Sequence, residues 1–225
     1  MSTTSRAKVA VLISGRGTNM QSIVTACAND QIPADVCCVV SNKARAPGLA
    51  FAASRGITTH VVNHRDFADR ESFDAALCEV LDAHAPDWIV LAGFMRILTP
   101  VFIDHFHLRI LNIHPSLLPL YPGLNTHARA LAAGDAQHGA SVHFVTCDLD
   151  AGPVIIQGIV DVETTDTPIA LADRVLTLEH TISPEAVKWI ASELITTDGK
   201  QCFYKGSAMI KPASWYNRAL TYPVI

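Results

Sequence analysis

A stretch in the middle of the chain, "RILNIHPSLLPLYPGLNTH" (109–127), contains residue types that can carry out chemistry. Asn112 and His114 are two residues apart behind an apolar run, so in a strand both side chains point to the same side. An amide can donate and accept hydrogen bonds, and an imidazole can carry a proton near neutral pH. The pair therefore predicts an acid/base or oxyanion-stabilising site. The alternative is that His114 is a hydrogen-bonded core residue.

A second polar segment, "CDLDAGP" (147–153), supplies two carboxylates in a loop that ends in glycine and proline. Asp148 or Asp150 could charge or orient the imidazole of His114, because a nearby carboxylate favours the protonated ring. The sequence leaves open which of the two does so. An ordinary turn is the alternative, since Asp and Gly are common turn residues.

A glycine-containing turn joins a strand to a helix in "LISGRGTNMQSIV" (12–24). Unpaired backbone N–H groups and the helix dipole attract an anion at such a turn. It is not a P-loop, because no Gly-Lys-Ser/Thr follows, and Met20 replaces the third glycine of the dinucleotide fingerprint. The turn therefore favours a single phosphate over a pyrophosphate. The alternative is an ordinary strand-to-helix turn with Thr18 or Asn19 as N-cap.

Bulky groups also follow the apolar run of "VLAGFMRILTP" (90–100), where Phe94, Met95 and Arg96 come after a glycine. Open α/β sheets bind ligands beyond the carboxyl ends of their parallel strands. A flat heteroaromatic ligand is one interpretation of these side chains. Core residues that cap the next helix are the other.

The elements that must position these residues form a repeating pattern of short apolar runs and helical segments. The early runs are continuously apolar, which indicates strands buried on both faces of a parallel sheet. The later runs alternate, and the short loop at 147–153 favours an antiparallel pair. We therefore predict an α/β fold with a doubly wound, mostly parallel but mixed sheet. The predicted strands are 8–14, 35–41, 57–62, 87–93, 109–114, 140–146 and 152–160.

The last third of the chain has one long helical pattern and then loses its periodicity. The pattern covers 166–194, with Pro184 as a possible kink or break. The residues after it predict a loosely attached tail with one short hairpin. We therefore expect a single domain over 1–197 with one core, followed by a tail at 198–225.

Charge and composition exclude several classes of protein. The formal net charge is -4 and charged residues of both signs are mixed along the chain, which argues against nucleic acid and anionic membranes as partners. No apolar run approaches the ~18 residues of a membrane span, so a cytoplasmic protein is expected. The six cysteines lack metal-ligand spacing and indicate reduced, packed thiols.

Five segments, in this order, resemble the phosphoribosylglycinamide formyltransferase family, which is folate-dependent and acts in purine synthesis. The likeness runs from about Val9 to Leu194 and implies a Rossmann-like formyltransferase fold. The segments are "ISGRGTNMQ", "NKARAPGL", "LAGFMRIL", "LNIHPSLLPLYPG" and "GASVHFVTCDLDAGPVIIQ".

The resemblance implies a role for particular residues. The family's catalytic asparagine, histidine and aspartate correspond to Asn112, His114 and Asp150. Its phosphate loop and glycinamide contact correspond to Gly17, Thr18, Asn19 and Glu179. Its folate contacts correspond to Arg70, Met95, Arg96, Ile97, Leu98 and Asn112. Two positions depart from the family pattern: Asn125 stands where a histidine is common, and Arg16 where a small or amide residue is common.

The implied reaction moves a formyl group from 10-formyltetrahydrofolate, a co-substrate, to the primary amine of glycinamide ribonucleotide. No metal is required. His105 and His107 are two residues apart without a third ligand at matching spacing, which predicts a solvated helix end rather than a zinc site. The expected partners are these two small molecules, with no nucleic acid or membrane, and the chain is a monomer or homodimer. Two alternatives stay open: a hydrolase that passes the formyl group to water, and a catalytically inactive folate- or nucleotide-binding module.

Overall fold

The structure is a computed structural model that describes residues 6–225. The chain packs as two compact units, the first ending at Leu111 and the second beginning at Asn112. The expected division into a domain over 1–197 and a tail at 198–225 stays a prediction. In the described residues no helix has the length and apolar character that a membrane span needs.

The first unit is a parallel α/β layer in which the strands lie in the order β4-β1-β2-β3. Val9–Ile13 are completely buried, as the continuous apolar run predicts. The helices α1 and α2 pack on each other and on β2, and α3 packs on α4. The elements are β1 Ala7–Ile13, α1 Thr18–Ala28, β2 Ala34–Ser41, α2 Pro47–Ser54, β3 Thr58–Val61, α3 Arg70–Asp82, β4 Trp88–Leu91 and α4 Pro100–His105.

The second unit is built on strands in the order β12-β11-β7-β6-β5. β6 and β7 are antiparallel neighbours, which confirms the prediction from the short loop between them. β11 runs parallel to β7, so parallel and antiparallel pairs are mixed. The elements are β5 Ile110–His114, α5 Thr126–Ala133, β6 Gln137–Phe144, β7 Val154–Asp161, α6 Pro168–Ala191, β8 Ile195–Thr197, β9 Cys202–Tyr204, β10 Ser207–Ala208, β11 Ala213–Tyr216 and β12 Ala219–Thr221.

Helix α6 covers β6 and β7 along its apolar face. It begins after Thr167, whose hydroxyl accepts a hydrogen bond from the Ala170 N–H, and has Pro168 in its first turn. Pro184 lies inside the helix without ending it. The break considered at Pro184 is therefore absent, because the packed face on both sides of the proline offsets the lost backbone bond.

The residues after α6 are more ordered than the sequence predicts. β8, β9 and β10 form a small antiparallel sheet, and the β11–β12 hairpin extends the larger one beside β7. The rings of Trp189 and Tyr222 stack with centroids 6.1 Å apart. The expectation of a loosely attached tail is therefore wrong, since backbone pairing and aromatic contacts hold it.

Candidate active site

The carboxylate of Asp150 gathers the polar groups of the second unit. Its Oδ2 accepts a hydrogen bond from the Gly123 N–H at 2.9 Å and lies 3.4 Å from His114 Nδ1. Its Oδ1 accepts from Asn112 Nδ2 at 3.4 Å. The side chains of Asp150 and His114 are only 9% and 6% exposed. The three residues that the sequence singled out therefore lie in one cluster, in which Asn112 is half-buried, and Asp150, not the exposed Asp148, is the carboxylate beside the imidazole.

The loop that carries Asp150 has a fixed shape. Asp150 itself has φ of 51°, in the left-handed region where aspartate is one of the better tolerated residues. Gly152 passes so close to β6 that a Cβ there would lie 1.9 Å from the Phe144 carbonyl oxygen. Only glycine allows this approach, which holds the loop against the strand and aims the carboxylate inward.

The second ring nitrogen of His114 also faces an acceptor. Nε2 lies 2.9 Å from the carbonyl oxygen of Tyr121, and this carbonyl group can only accept. The Tyr121 side chain is tied down in turn, because its hydroxyl donates to Asp135 at 2.6 Å. With a proton on each nitrogen, His114 donates to the Tyr121 carbonyl through Nε2 and lies within ion-pair distance of Asp150 through Nδ1.

A buried polar network anchors the loop between His114 and Tyr121. The Ser141 hydroxyl donates to the Ser116 carbonyl at 2.7 Å and accepts from the Leu118 N–H at 3.1 Å. Gln157 donates to both the Leu118 carbonyl and Ser141, each at 2.9 Å. These bonds fix the backbone that carries the acceptor for His114 Nε2.

His143 is a member of the cluster that the sequence did not single out. It is 2% exposed, its Nδ1 donates to the Phe144 carbonyl at 2.9 Å, and its Nε2 lies 3.2 Å from Asn112 Nδ2. Because Nδ1 carries the proton, Nε2 is an acceptor and requires the nitrogen of the Asn112 amide, not its oxygen, to face it. His143 therefore orients Asn112. A histidine at an inward position of an otherwise apolar strand was the available signal.

Burial keeps His143 neutral. Desolvation lowers the pKa of its imidazole from 6.5 to about 4, and burial also lowers the pKa of His138 to about 4. The 3.8 Å separation between His143 Nε2 and Asp150 Oδ1 is therefore not an ion pair. Two acceptors face each other there, and the NH₂ group of Asn112 lies between them.

The low pKa of His143 predicts acid sensitivity of the fold. The His143 ring binds a proton near pH 6.5 in the unfolded chain and only near pH 4 in the folded chain. The free energy of unfolding is therefore highest above pH 6.5 and decreases as the pH falls from 6.5 to 4. Between pH 7 and pH 4, we expect protonation of His143 alone to reduce the free energy of unfolding by about 3 kcal/mol. Urea denaturation at several pH values between 7 and 4 measures the slope.

Two glutamine variants test whether His143 is responsible. His143→Gln removes the titrating ring, so its unfolding free energy should depend less steeply on pH than that of the unchanged chain. His107→Gln alters an exposed histidine and should leave the slope unchanged. Equal slopes in all three proteins would remove His143 as the source of the acid sensitivity.

In the first unit, the glycine turn after β1 leads directly into α1. Gly17, with φ of 65°, is the N-cap of this helix and offers no side chain to its first N–H groups. The N-cap is therefore Gly17, not Thr18 or Asn19 as the turn alternative supposed. The Gly48 N–H donates to the Gly15 carbonyl at 3.1 Å and braces the turn from α2.

The segment after β4 presents two apolar side chains to solvent. Met95 and Ile97 are 64% and 58% exposed, Arg96 is half-buried and Leu98 is buried. The segment ends at Thr99, whose N–H and hydroxyl both donate to Oδ2 of the buried Asp74, at 2.6 and 2.8 Å. Exposed apolar groups on an anchored backbone suit an apolar ligand face.

The remaining predicted site residues lie on helices. Arg70 is exposed at the start of α3, and Glu179 is buried on α6. Of the two departures from the family pattern, Asn125 has φ of 59° and precedes α5, and Arg16 is exposed in the glycine turn. The left-handed region favours asparagine and histidine alike among non-glycine residues, which accounts for an Asn at position 125.

Metal-binding groups are sparse in the part of the chain that the structure describes, where no cluster of three or more His, Cys, Asp or Glu side chains has the geometry to hold an ion. His105 ends α4 and its Nε2 lies 2.9 Å from Asp82 Oδ1. The six cysteines are free thiols, and Cys147 is the exposed one.

Comparison with known proteins places the chain in a family. The formyl transferase family model matches residues 7–187. Phosphoribosylglycinamide formyltransferase of Escherichia coli K12 is 48% identical over 202 residues, which cover 90% of this chain and 92% of that protein. The trifunctional purine biosynthetic protein adenosine-3 of Homo sapiens is 43% identical over 89% of this chain, which spans 20% of that protein.

Solved structures agree with the sequence matches. The phosphoribosylglycinamide formyltransferase of Coxiella burnetii superposes with a TM-score of 0.86 at 46% identity, covering 90% of this chain and 95% of that one. Glycinamide ribonucleotide transformylase 1 of Symbiobacterium toebii gives a TM-score of 0.87 at 40% identity, covering 89% and 95%. These neighbours confirm the predicted α/β fold with its mixed, mostly parallel sheet. The chain belongs to the phosphoribosylglycinamide formyltransferase group of the formyl transferase family.

Proposed function

We propose that this protein transfers the formyl group of 10-formyltetrahydrofolate to the amine of glycinamide ribonucleotide, in purine synthesis. The observation that carries the proposal is the cluster in which Asp150 accepts a hydrogen bond from the half-buried Asn112 amide and lies beside the buried His114 ring. Close relatives named for this activity support the same conclusion. No metal enters the scheme.

Charge on oxygen is the main demand of this reaction. The amine nitrogen attacks the planar formyl carbon, a C–N bond forms, and the C=O electron pair moves onto the oxygen. A donor already in place for that oxygen lowers the barrier, and losing one such donor by mutation raises the barrier by ~3 kcal/mol. Asn112 is the proposed donor, through the N–H that points at Asp150 over a long 3.4 Å separation. That weak bond is the one most easily exchanged for a substrate oxygen.

Proton movement is assigned to His114. The attacking amine must lose a proton, and the folate nitrogen must gain one as its bond to the formyl carbon breaks. His114 carries this proton, directly or through water, and the ring nitrogen that exchanges it is Nδ1, whose 3.4 Å contact with Asp150 is longer than the 2.9 Å contact of Nε2 with Tyr121. The protonated ring also contributes positive charge near the oxyanion.

Substrate contacts outside the cluster follow from the family resemblance. Gly17, Thr18 and Asn19 hold the ribonucleotide phosphate on the turn that opens α1, where backbone N–H groups and the helix dipole suit an anion. Glu179 contacts the glycinamide. The folate lies on the backbone and side chains of Met95–Leu98, with Arg70 near its acidic end.

A two-substrate assay tests the proposal directly. The purified chain is incubated with 10-formyltetrahydrofolate, and tetrahydrofolate release is followed by absorbance with and without glycinamide ribonucleotide. The proposed function requires release that depends on the ribonucleotide and yields its formylated product. Release without the ribonucleotide would instead indicate the hydrolase, and calorimetric binding of folate without any turnover would indicate an inactive binding module.

A further inference from the structure

A buried serine stands between the two ligand-facing segments of the first unit. Ser14 is 5% exposed, follows the last residue of β1, and precedes the glycine turn. Its backbone N–H donates to the Gly93 carbonyl at 3.2 Å, and its hydroxyl oxygen accepts from the Met95 N–H at 2.8 Å. Ser14 therefore holds the turn from Gly93 to Met95 at both ends.

The hydroxyl of Ser14 is itself oriented by a neighbour. Asn42, 1% exposed and just past β2, accepts the hydroxyl hydrogen on its Oδ1 at 2.6 Å. His64 Nδ1 lies 3.2 Å from both the side-chain amide nitrogen and the backbone carbonyl oxygen of Asn42, so the ring packs against this residue. Because the hydroxyl hydrogen is committed to Asn42, a lone pair of the same oxygen is left facing the Met95 N–H.

This arrangement controls a short backbone segment that side-chain packing alone does not hold. Phe94 and Leu98 are buried, but Met95 and Ile97 between them are exposed. The side chain of Met95 is in solvent, but its backbone N–H donates to the buried hydroxyl of Ser14. Loss of that bond would free the backbone at the residue where the proposed folate site begins.

We infer that Ser14, oriented by Asn42, is a positioning residue for the folate co-substrate, because it sets the backbone of Gly93–Met95 without touching the formyl group. The inference rests on the proposed function and deepens it. The inference distinguishes the two substrates. The Gly93–Met95 turn that Ser14 holds belongs to the proposed folate site, whereas the ribonucleotide phosphate is assigned to the glycine turn. The Ser14 hydroxyl bonds to Asn42 and to the Met95 N–H.

Steady-state kinetics of Ser14→Ala, with each substrate varied in turn, tests the inference. We expect KM for 10-formyltetrahydrofolate to rise about tenfold, with KM for glycinamide ribonucleotide changed less than about twofold. Ser14→Cys keeps a side chain of similar size with a weak donor and acceptor. Its KM for 10-formyltetrahydrofolate should lie between those of the unchanged enzyme and Ser14→Ala. Binding of tetrahydrofolate, measured by calorimetry, should weaken in parallel with the folate KM.

The control is Ser54→Ala. Ser54 is the last residue of α2, and its hydroxyl donates to the Phe51 carbonyl of the same helix at 2.7 Å. The substitution removes a serine hydroxyl of the same unit that bonds to none of Ser14, Asn42 and Met95, so it should leave both KM values unchanged. Asn42→Asp retains the oxygen that accepts from Ser14 and should stay nearer to the unchanged enzyme than Asn42→Leu.

Two results would overturn the inference. One is an unchanged folate KM in both Ser14 variants, and the other is an equal rise in both KM values, which would indicate general loosening. A failure of the proposed function is distinguishable, because the unchanged enzyme would then show no transfer to glycinamide ribonucleotide at all.

Discussion

Replacing Asp150 with asparagine is expected to lower kcat about a hundred- to a thousandfold, while the affinity for glycinamide ribonucleotide changes only a few fold. The carboxylate accepts from the Gly123 N–H and from Asn112, and lies beside His114 Nδ1. A neutral amide at position 150 keeps one acceptor oxygen, turns an N–H toward one of these donors, and removes the negative charge beside the His114 ring. Catalysis loses its oriented donors, whereas phosphate binding depends on another segment.

The loop offers a close control for this substitution. Asp148→Asn makes the same chemical change two residues away, at an exposed side chain. It should retain nearly the full kcat. Stopped-flow or steady-state assays at saturating substrate measure kcat, and calorimetry with glycinamide ribonucleotide measures binding. Near-normal turnover of Asp150→Asn, or equal losses in both variants, would remove Asp150 from the mechanism.

The parts of the fold that sequence patterns predicted are those where burial dictates residue type. The continuous apolar runs of β1 and β2 indicated strands covered on both faces, and in the structure these strands are parallel neighbours. The short loop at 147–153 likewise indicated that β6 and β7 are an antiparallel pair. In β1 and β2 the hydrophobic effect dictates the residue types, so the strands could be predicted from the sequence.

The last thirty residues lacked such a pattern for a physical reason. The four-residue strand β11 is held beside β7 by backbone hydrogen bonds, which any residue type except proline can make. The stacked rings of Trp189 and Tyr222 are more than thirty positions apart in sequence, so no local window contains both. Neither interaction leaves a periodic trace.

The candidate site divides in the same way. Asn112 and His114 were predictable because their spacing of two places them on one side of a strand. The choice between Asp148 and Asp150 needed the left-handed backbone at position 150, which local sequence does not fix. His143 and Ser14 were missed because a buried polar residue in an apolar strand or directly after it looks the same in sequence whether it positions a functional segment or only satisfies the core.

The largest effect besides that of Asp150 is expected for Asn112→Ala, which should lower kcat about a hundred- to a thousandfold. The change removes the N–H proposed for the oxyanion, and it also leaves His143 Nε2 and Asp150 Oδ1 facing each other without the amide between them. The loss should appear in kcat rather than in KM for either substrate, because the donor acts on charge that develops during the reaction.

Gln137→Ala serves as the control for Asn112→Ala. Gln137 also donates a side-chain amide hydrogen to a carboxylate, Asp161, at 3.1 Å, but on an exposed surface, so its loss should leave kcat within about twofold.

A double variant separates the two roles of the Asn112 amide. If His143 acts by orienting Asn112, then His143→Gln should lower kcat in the unchanged background and have little further effect once Asn112 is alanine. Additive losses would show that His143 acts independently of Asn112, and a normal kcat for Asn112→Ala would require a different donor for the oxyanion.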